Sequence, residues 1–446
     1  AMKLMAGEFV VGRTIGEALD RARKAPHANA RHSFDMLGEA AYTAADARRY
    51  ADAYADAIAA IGASVGDRTA PAWVQPSISV KLSALHPRYE LAQAGRVLDE
   101  LVPTVTALAA LAKRVGIGFT VDAEEADRLE LSLEIFARLR RDPSLAGWME
   151  LGLAVQAYQK RALLVVDWLV ALAGATRTRI PVRLVKGAYW DTEVKRAQML
   201  GLAGYPVFTR KPHTDVSYLA CAKALLDAGD AVYPMFASHN AHTVAWVAAY
   251  AAGKRTADLE FQRLHGMGES LYAQVCAPPH GHACRVYAPV GSHEDLLPYL
   301  VRRLLENGAN TSFVNQVADT SVDLDRLTED PVVAAAAFDG TPHPRVPLPS
   351  ALYPDRANLR GIDLADEHAL AALQAALERE ATRTFVAEPK VFGRAGGEES
   401  LARAVRSPAD TTRVVGHVVE ATREDVDAAF AAAGAEGAAW TRLPAA

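Results

Sequence analysis

Cysteine is scarce in this chain. Cys221, Cys276 and Cys284 are the three among 446 residues, too few for a disulfide framework, and a reducing cytoplasm is the simplest home for such a protein. No apolar run approaches the roughly 18 residues that a membrane span needs, and the opening residues carry no signal-peptide apolar stretch. Charge of one sign is also lacking: 48 Lys and Arg stand against 53 Asp and Glu, a net of −5, so there is no basic field to attract nucleic acid or anionic lipid. Nucleotide and hydrolase signatures are missing. Gly266-Met-Gly268 runs on into Glu269-Ser-Leu271 without the third glycine of a dinucleotide fingerprint. Ala251–Thr256 lacks the first P-loop glycine, and there is no G-x-S-x-G elbow. Cys276, His280, His282 and Cys284 form one ligand-like cluster, but their spacing fits no standard zinc pattern, so no metal is expected.

What is present is a rhythm. Short β-branched or aromatic runs occur at 32–37, 77–82, 118–122, 151–156, 182–186, 233–239, 259–264 and 284–288. Between them lie alanine-rich helical segments, clearest at 41–61, 98–115, 160–173, 216–226 and 242–252. Alternating strand and helix implies parallel β-structure with crossover helices, and eight repeats favour a closed α/β barrel of the TIM type over an open sheet. Such a barrel binds ligands at the C-terminal rim. The polar residues read as ending the strands are Glu39, Lys81, Asp122, Gln156, Arg183 with Lys186, His239 with Asn240, Gln262 with His265, and Tyr287. Core packing alone does not explain so many polar strand ends.

Just beyond the last strand, Tyr299–Asn307 reads Y-L-V-R-R-L-L-E-N. At helical spacing Tyr299, Arg302, Arg303 and Glu306 share one face, with Leu300, Val301, Leu304 and Leu305 on the other. Paired guanidiniums beside a tyrosine suit a small carboxylic acid. The same face also fits a solvated helix with an Arg303–Glu306 pair. Placement across a barrel mouth favours the clamp.

Several long motifs carry a family resemblance. They are S-V-K-L-S-A-L-H-P-R-Y (79–89), R-L-V-K-G-A-Y-W-D (183–191), T-R-K-P-H-T-D-V-S-Y (209–218), S-H-N-A-H-T (238–243), F-Q-R-L-H-G-M-G-E (261–269) and the segment 299–313. Together they resemble the proline dehydrogenase family, in the version that forms part of a bacterial bifunctional enzyme, over about residues 7–373. The resemblance implies a distorted barrel, FAD at the strand C-termini, and oxidation of L-proline to 1-pyrroline-5-carboxylate by hydride transfer to the flavin. It also implies a membrane quinone as electron acceptor, and so transient peripheral contact with the bilayer.

Position by position, the resemblance makes Arg302 and Arg303 the carboxylate clamp, with Lys81 as a third cation. It makes Tyr189, Leu264, Tyr287 and Tyr299 the walls around the proline ring. Arg183 corresponds to the arginine that bonds the reactive flavin nitrogen, Gln156 is a second ring contact, and Asp122 supports the same site. Val185, Lys186, Gly187, Ala188, Trp190, Thr209, Arg210, Lys211, Ser238, His239, Asn240, Gln262 and Glu306 complete the expected cofactor shell. Glu39 is the acidic residue expected to close the pocket onto Arg302.

The expected organisation is a helical arm over 1–30, a barrel over 31–316, a helical and proline-rich connector over 317–383, and the start of an aldehyde dehydrogenase-like domain over 384–446. Within the connector, 317–340 reads as a helix and Thr341–Pro349 as extended. A further helix is expected over 367–380, and a strand pair with a helix over 407–443. Only Ser407–Val426 resembles the second domain of the bifunctional enzymes, so the chain reads as a truncated form limited to proline oxidation, without the DNA-binding module of some relatives. Two rival readings remain open: a barrel aldolase with Lys81 or Lys186 as Schiff-base amine, and a proline-responsive binding protein without turnover.

Overall fold

The computed structural model describes residues 9–24, 30–66, 70–254, 258–292, 297–308, 328–390 and 402–443, apart from the side chains of 72, 298, 304–308 and 438. Eight parallel strands close into one barrel, each paired with its neighbours in sequence and β1 with β8. They are β1 (Arg31–Met36), β2 (Ser77–Val80), β3 (Gly118–Val121), β4 (Leu151–Gln156), β5 (Ile180–Val185), β6 (Val232–Ala237), β7 (Glu260–Leu264) and β8 (Cys284–Val290). Closure runs from Arg31 opposite Arg285 to Met36 opposite Val290.

Crossover helices surround the strands: Ala44–Ser64, Ala94–Val115, Leu129–Arg141, Ala162–Thr176, Trp190–Met199, Lys211–Asp227, Ala241–Ala252 and Glu269–Cys276. Local chemistry fixes their ends. Thr43 and Asp46 form a reciprocal capping box, and Gly116 takes the left-handed conformation that ends the helix before β3. Asn240 Oδ1 accepts from Thr243 N at 3.0 Å, starting a helix directly at the end of β6.

Strand alternation sorts the residues into two sets. Phe34, Ile78, Val80, Phe119, Val121, Val182, Leu184, Phe236 and Phe261 are buried against the helical layer. The other set meets across the lumen and is strongly polar: Ser33, Asp35, Ser79, Arg183, Glu260, Gln262, Arg285 and Tyr287. Barrels usually fill this space with Val, Ile and Leu. Here hydrogen-bonded charge fills it.

The helix Leu297–Gly308 follows β8. Tyr299 and Leu300 pack with Val10 and Leu37, with Phe9 and Tyr287 alongside. The buried side of this helix therefore differs from the expected division of faces. Leu300 and Tyr299 are buried together with Arg303, whereas Val301 is 43% exposed. The Leu304, Leu305 and Glu306 side chains fall outside the described residues.

The chain divides into two compact units, 1–366 and 367–446. Most of the helix expected over 317–340 lies outside the described residues, and its described part is helical only over Pro331–Ala336. In the second unit the helix Glu367–Ala381 precedes a small sheet of strand order Arg403–Arg406, Val414–Val418, Phe385–Ala387. The helix Arg423–Trp440 starts at a Thr422–Asp425 capping box. The strand pair begins at Arg403 rather than Ser407, and Phe385–Ala387 adds a third strand. Among the described residues no helix is long and apolar enough to cross a membrane.

Candidate active site

The cationic side chains of the lumen are matched to acceptors from other strands. Lys81, just past β2, donates to Asp35 Oδ1 at 2.7 Å, Asp122 Oδ2 at 3.2 Å and the Tyr287 hydroxyl at 3.3 Å. Tyr287 in turn donates to Asp122 Oδ2 at 2.7 Å. Arg183 uses both ends of its fork. Nη1 reaches Asp122 Oδ1 at 2.7 Å and Ser79 Oγ at 3.0 Å, Nη2 reaches Ser33 Oγ at 3.0 Å, and Nε donates to Gln262 Oε1 at 2.8 Å. Serines at 33 and 79 leave room inside the barrel for the guanidinium. Arg183, Gln262 and Tyr287 therefore lie within their strands and face the lumen; they are not strand-end residues.

Environment separates the two carboxylates. Burial pushes Asp122 up, but Lys81, Arg183 and the Tyr287 hydroxyl outweigh it and hold the carboxyl below the usual range. Burial also pushes Asp35 up, and there it wins. Lys81 is the cation beside it, Asp122 repels it, and its Oδ2 is buried without a hydrogen-bond partner. Asp35 is therefore the carboxyl whose anion burial disfavours, and Asp122 the one whose anion its cations favour. Burial would lower Lys81, yet Asp35, Tyr287 and Asp122 raise it well above the ordinary lysine value. A Schiff-base amine needs the opposite shift, and Lys186 is likewise tied to Asp215, so neither lysine is a poised nucleophile.

Above this cluster lies a cavity of about 320 Å³, at the small end of ligand pockets. Among its walls are Lys81, Asp122, Arg183, Tyr189, Leu264, Tyr287, Tyr299, Arg302 and Arg303, brought together from strands, strand ends and the final helix. Gln156, Val185, Lys186, Gly187, Ala188, Lys211, Ser238, His239, Asn240 and Gln262 line it too. The Arg302 guanidinium stands 5.1 Å from the Tyr189 ring centre, and that of Arg303 5.3 Å from Tyr299. Across the mouth Arg302 donates to both oxygens of Glu39, at 2.6 and 2.9 Å. Burial pushes Glu39 up, and Arg302 more than offsets it.

The loop bearing Glu39 is under backbone constraint. Gly38 has φ 141° and Ala40 φ 54°, an uncommon value for a residue with a side chain. Ser83 holds the turn, its Oγ accepting from Ala40 N at 3.0 Å and its carbonyl from Ala41 N at 2.9 Å.

Three expected shell residues do not line this cavity. Trp190 Nε1 donates to the Phe208 carbonyl at 2.8 Å, and its ring packs beside Tyr158 and Val207. Thr209 Oγ1 accepts from His343 N at 3.0 Å, while Arg210 donates to the Thr341 carbonyl at 2.8 Å and covers the Phe338 ring at 4.0 Å. These two residues anchor the segment after Pro331–Ala336. Conversely, Asp35 and Asp215 belong to the site although the sequence motifs do not single them out. Asp35 alternates with Ser33 on a strand otherwise apolar at Phe34 and Met36, and an acid facing a barrel lumen at that spacing is the signal. Asp215, four residues from Lys211, joins Lys186 and Lys211 through one carboxylate.

Residues 18–316 match the family described as proline dehydrogenase. The chain belongs to that family. Among relatives it is similar to the bifunctional protein PutA of Escherichia coli strain K12, 51% identical over 100% of this chain and 34% of that protein. PutA of Rhizobium meliloti is 50% identical over 94% of this chain and 34% of that protein. Among solved structures, proline utilization A of Bradyrhizobium japonicum has TM-score 0.82 at 49% identity, over 99% of this chain and 41% of that one. The Bdellovibrio bacteriovorus protein, inactivated by N-propargylglycine, has TM-score 0.87 at 28% identity, over 99% and 46%. This proline dehydrogenase chain thus spans about a third of the length of its PutA relatives.

Proposed function

We propose that the chain oxidises L-proline to 1-pyrroline-5-carboxylate, with FAD as cofactor and a membrane quinone as final acceptor, the first step of proline breakdown to glutamate. The observation that carries this reading is the convergence of Lys81, Arg302 and Arg303 with the rings of Tyr189, Tyr287 and Tyr299 around one small cavity. Three cations suit a carboxylate, and the rings suit a compact, partly apolar body.

The wall also fits a flavin. Lys186 and Lys211 share the single Asp215 carboxylate, leaving net positive charge for a diphosphate. Gly187 has φ 138°, and a Cβ there would lie 2.5 Å from the Tyr158 ring, so the backbone passes where a side chain has no room. Gln156 and Arg183 would contact the ring system, and Lys186, Lys211, Ser238, His239 and Asn240 would hold the remainder. The bound flavin would accept the hydride leaving the ring carbon beside the proline nitrogen.

The protein's own tasks are orientation and exclusion of water. Arg302 and Arg303 grip the carboxylate from the closing helix and Lys81 from below. Tyr287 remains a neutral phenol, since burial and the nearby Asp122 and Asp35 carboxylates raise its pKa, and it presents its ring to the substrate. Glu39 draws Arg302 across the mouth.

The test is the visible spectrum before and after anaerobic L-proline. A flavin band that bleaches supports the reading. A colourless protein, or a band that proline leaves unchanged, would sink it, the latter favouring the binding-protein alternative.

A further inference from the structure

A second ionic cluster closes the barrel at its other end. Glu260, fully buried at the start of β7, accepts from Arg285 at 2.6 and 3.1 Å, Arg31 at 2.9 Å and the Tyr233 hydroxyl at 3.2 Å. Burial pushes its carboxyl up, but Arg285 and Arg31 outweigh that and keep it ionised. Two residues along the strand, Gln262 Nε2 donates to Glu260 Oε1 at 2.7 Å and to Met235 Sδ at 3.2 Å. Its other end, Oε1, accepts from Arg183 Nε.

The amide is held between two groups of opposite capacity. An ionised carboxylate can only accept, and a guanidinium can only donate. One orientation of the Gln262 amide satisfies both. The reversed one would set an N–H against Arg183 Nε and an oxygen against Glu260, burying two mismatched pairs. We infer that Glu260 is a positioning residue for the reaction, setting the Gln262 amide so that it fixes the Arg183 guanidinium that would contact the flavin. The inference rests on the reading that Arg183 meets the flavin. It assigns to a carboxylate at the closed end an effect on redox chemistry at the open end, relayed by a single amide.

The competing explanation is that Glu260 only braces the closed end. A double-mutant cycle separates the two. Glu260→Gln and Glu260→Asp are each made in the wild type and in a Gln262→Leu background, and every variant is purified with FAD bound. The measurements are the rate of anaerobic flavin reduction by L-proline, the KM for proline, and the position of the long-wavelength flavin band without proline. With Gln262 present, each Glu260 substitution is expected to slow reduction about tenfold or more and to shift the band, while KM stays within about twofold. In the Gln262→Leu background, the same substitutions should change neither rate nor band.

Equal losses in both backgrounds would assign Glu260 a bracing role and overturn the inference. Should Glu260→Gln fail to fold, Glu260→Asp keeps the charge opposite Arg31 and Arg285 and carries the comparison. The two levels of reading fail differently. A wild type that proline does not reduce sinks the reading of the site. A reducible wild type matched by its Glu260 variants sinks this inference alone.

Discussion

Arg302 and Glu39 form a two-pronged ion pair across the barrel mouth although 263 residues separate them. A guanidinium so placed can pass from a protein carboxylate to a substrate carboxylate with little movement. Arg302→Met should therefore raise the KM for proline at least tenfold, about the value of a charge-assisted hydrogen bond, and change the melting temperature little. Steady-state kinetics with a thermal melt checks this, and an unchanged KM would remove Arg302 from the clamp.

Asp122 and Asp35 share Lys81 but are not equivalent. Asp122→Asn leaves Lys81 and Arg183 buried without their common anion, which should cost about 3–5 kcal/mol of stability. Asp35→Asn removes a carboxyl whose ionisation burial and the neighbouring Asp122 already oppose, and leaves Asp122 to both cations, so it should cost less than half as much. Chemical denaturation of both variants at pH 7 decides, and the opposite ranking would contradict the charge assignment.

Glu193, on the helix Trp190–Met199, is buried and accepts from Ala126 N at 2.7 Å, and burial pushes its carboxyl up to about 7. A carboxyl raised in the folded state contributes its stability fully below the unfolded value of 4.5, and loses it as pH rises through about 7. Glu193→Gln, which cannot ionise, should gain on the wild type across that window, by up to roughly 3 kcal/mol. Melting curves of both proteins from about pH 5 to 8 test this; parallel curves would refute it.

Gly187 lies where a methyl group meets the Tyr158 ring and where φ is positive. Gly187→Ala should lower stability by about 1–3 kcal/mol and reduce the flavin retained on purification. The absorbance ratio of flavin to protein measures the second effect, and a ratio equal to the wild type's would separate this turn from the cofactor.

The barrel is legible because its strands are short apolar runs spaced by helices, and β4, Leu151–Gln156, falls at the boundaries read from the sequence. Crossover helices with little apolar content are harder to see: Trp190–Met199 buries Glu193 with only Val194 and Ala197 as apolar partners, and Glu269–Cys276 is eight residues long. Among site residues, most of those in the long motifs line the one cavity, with Trp190, Thr209 and Arg210 turned elsewhere. Asp35 escapes a sequence reading because a single acid inside a strand does not show its partner, and Lys81 is 46 residues away. Thr209 and Arg210 are expected beside their motif neighbours, but the segment they grip lies more than a hundred residues further on, beyond the reach of local pattern.

The two ionic assemblies of the open end differ in their access to water. Side chains in the Arg302–Glu39 pair are 15% and 21% exposed, whereas Lys81, Arg183 and Asp122 are 4–9% exposed. Mobile ions screen the first far more than the second. Ionic strength therefore acts on how the entrance closes and hardly at all on the charges beneath it, so added salt should alter substrate entry and exit before it alters the chemistry.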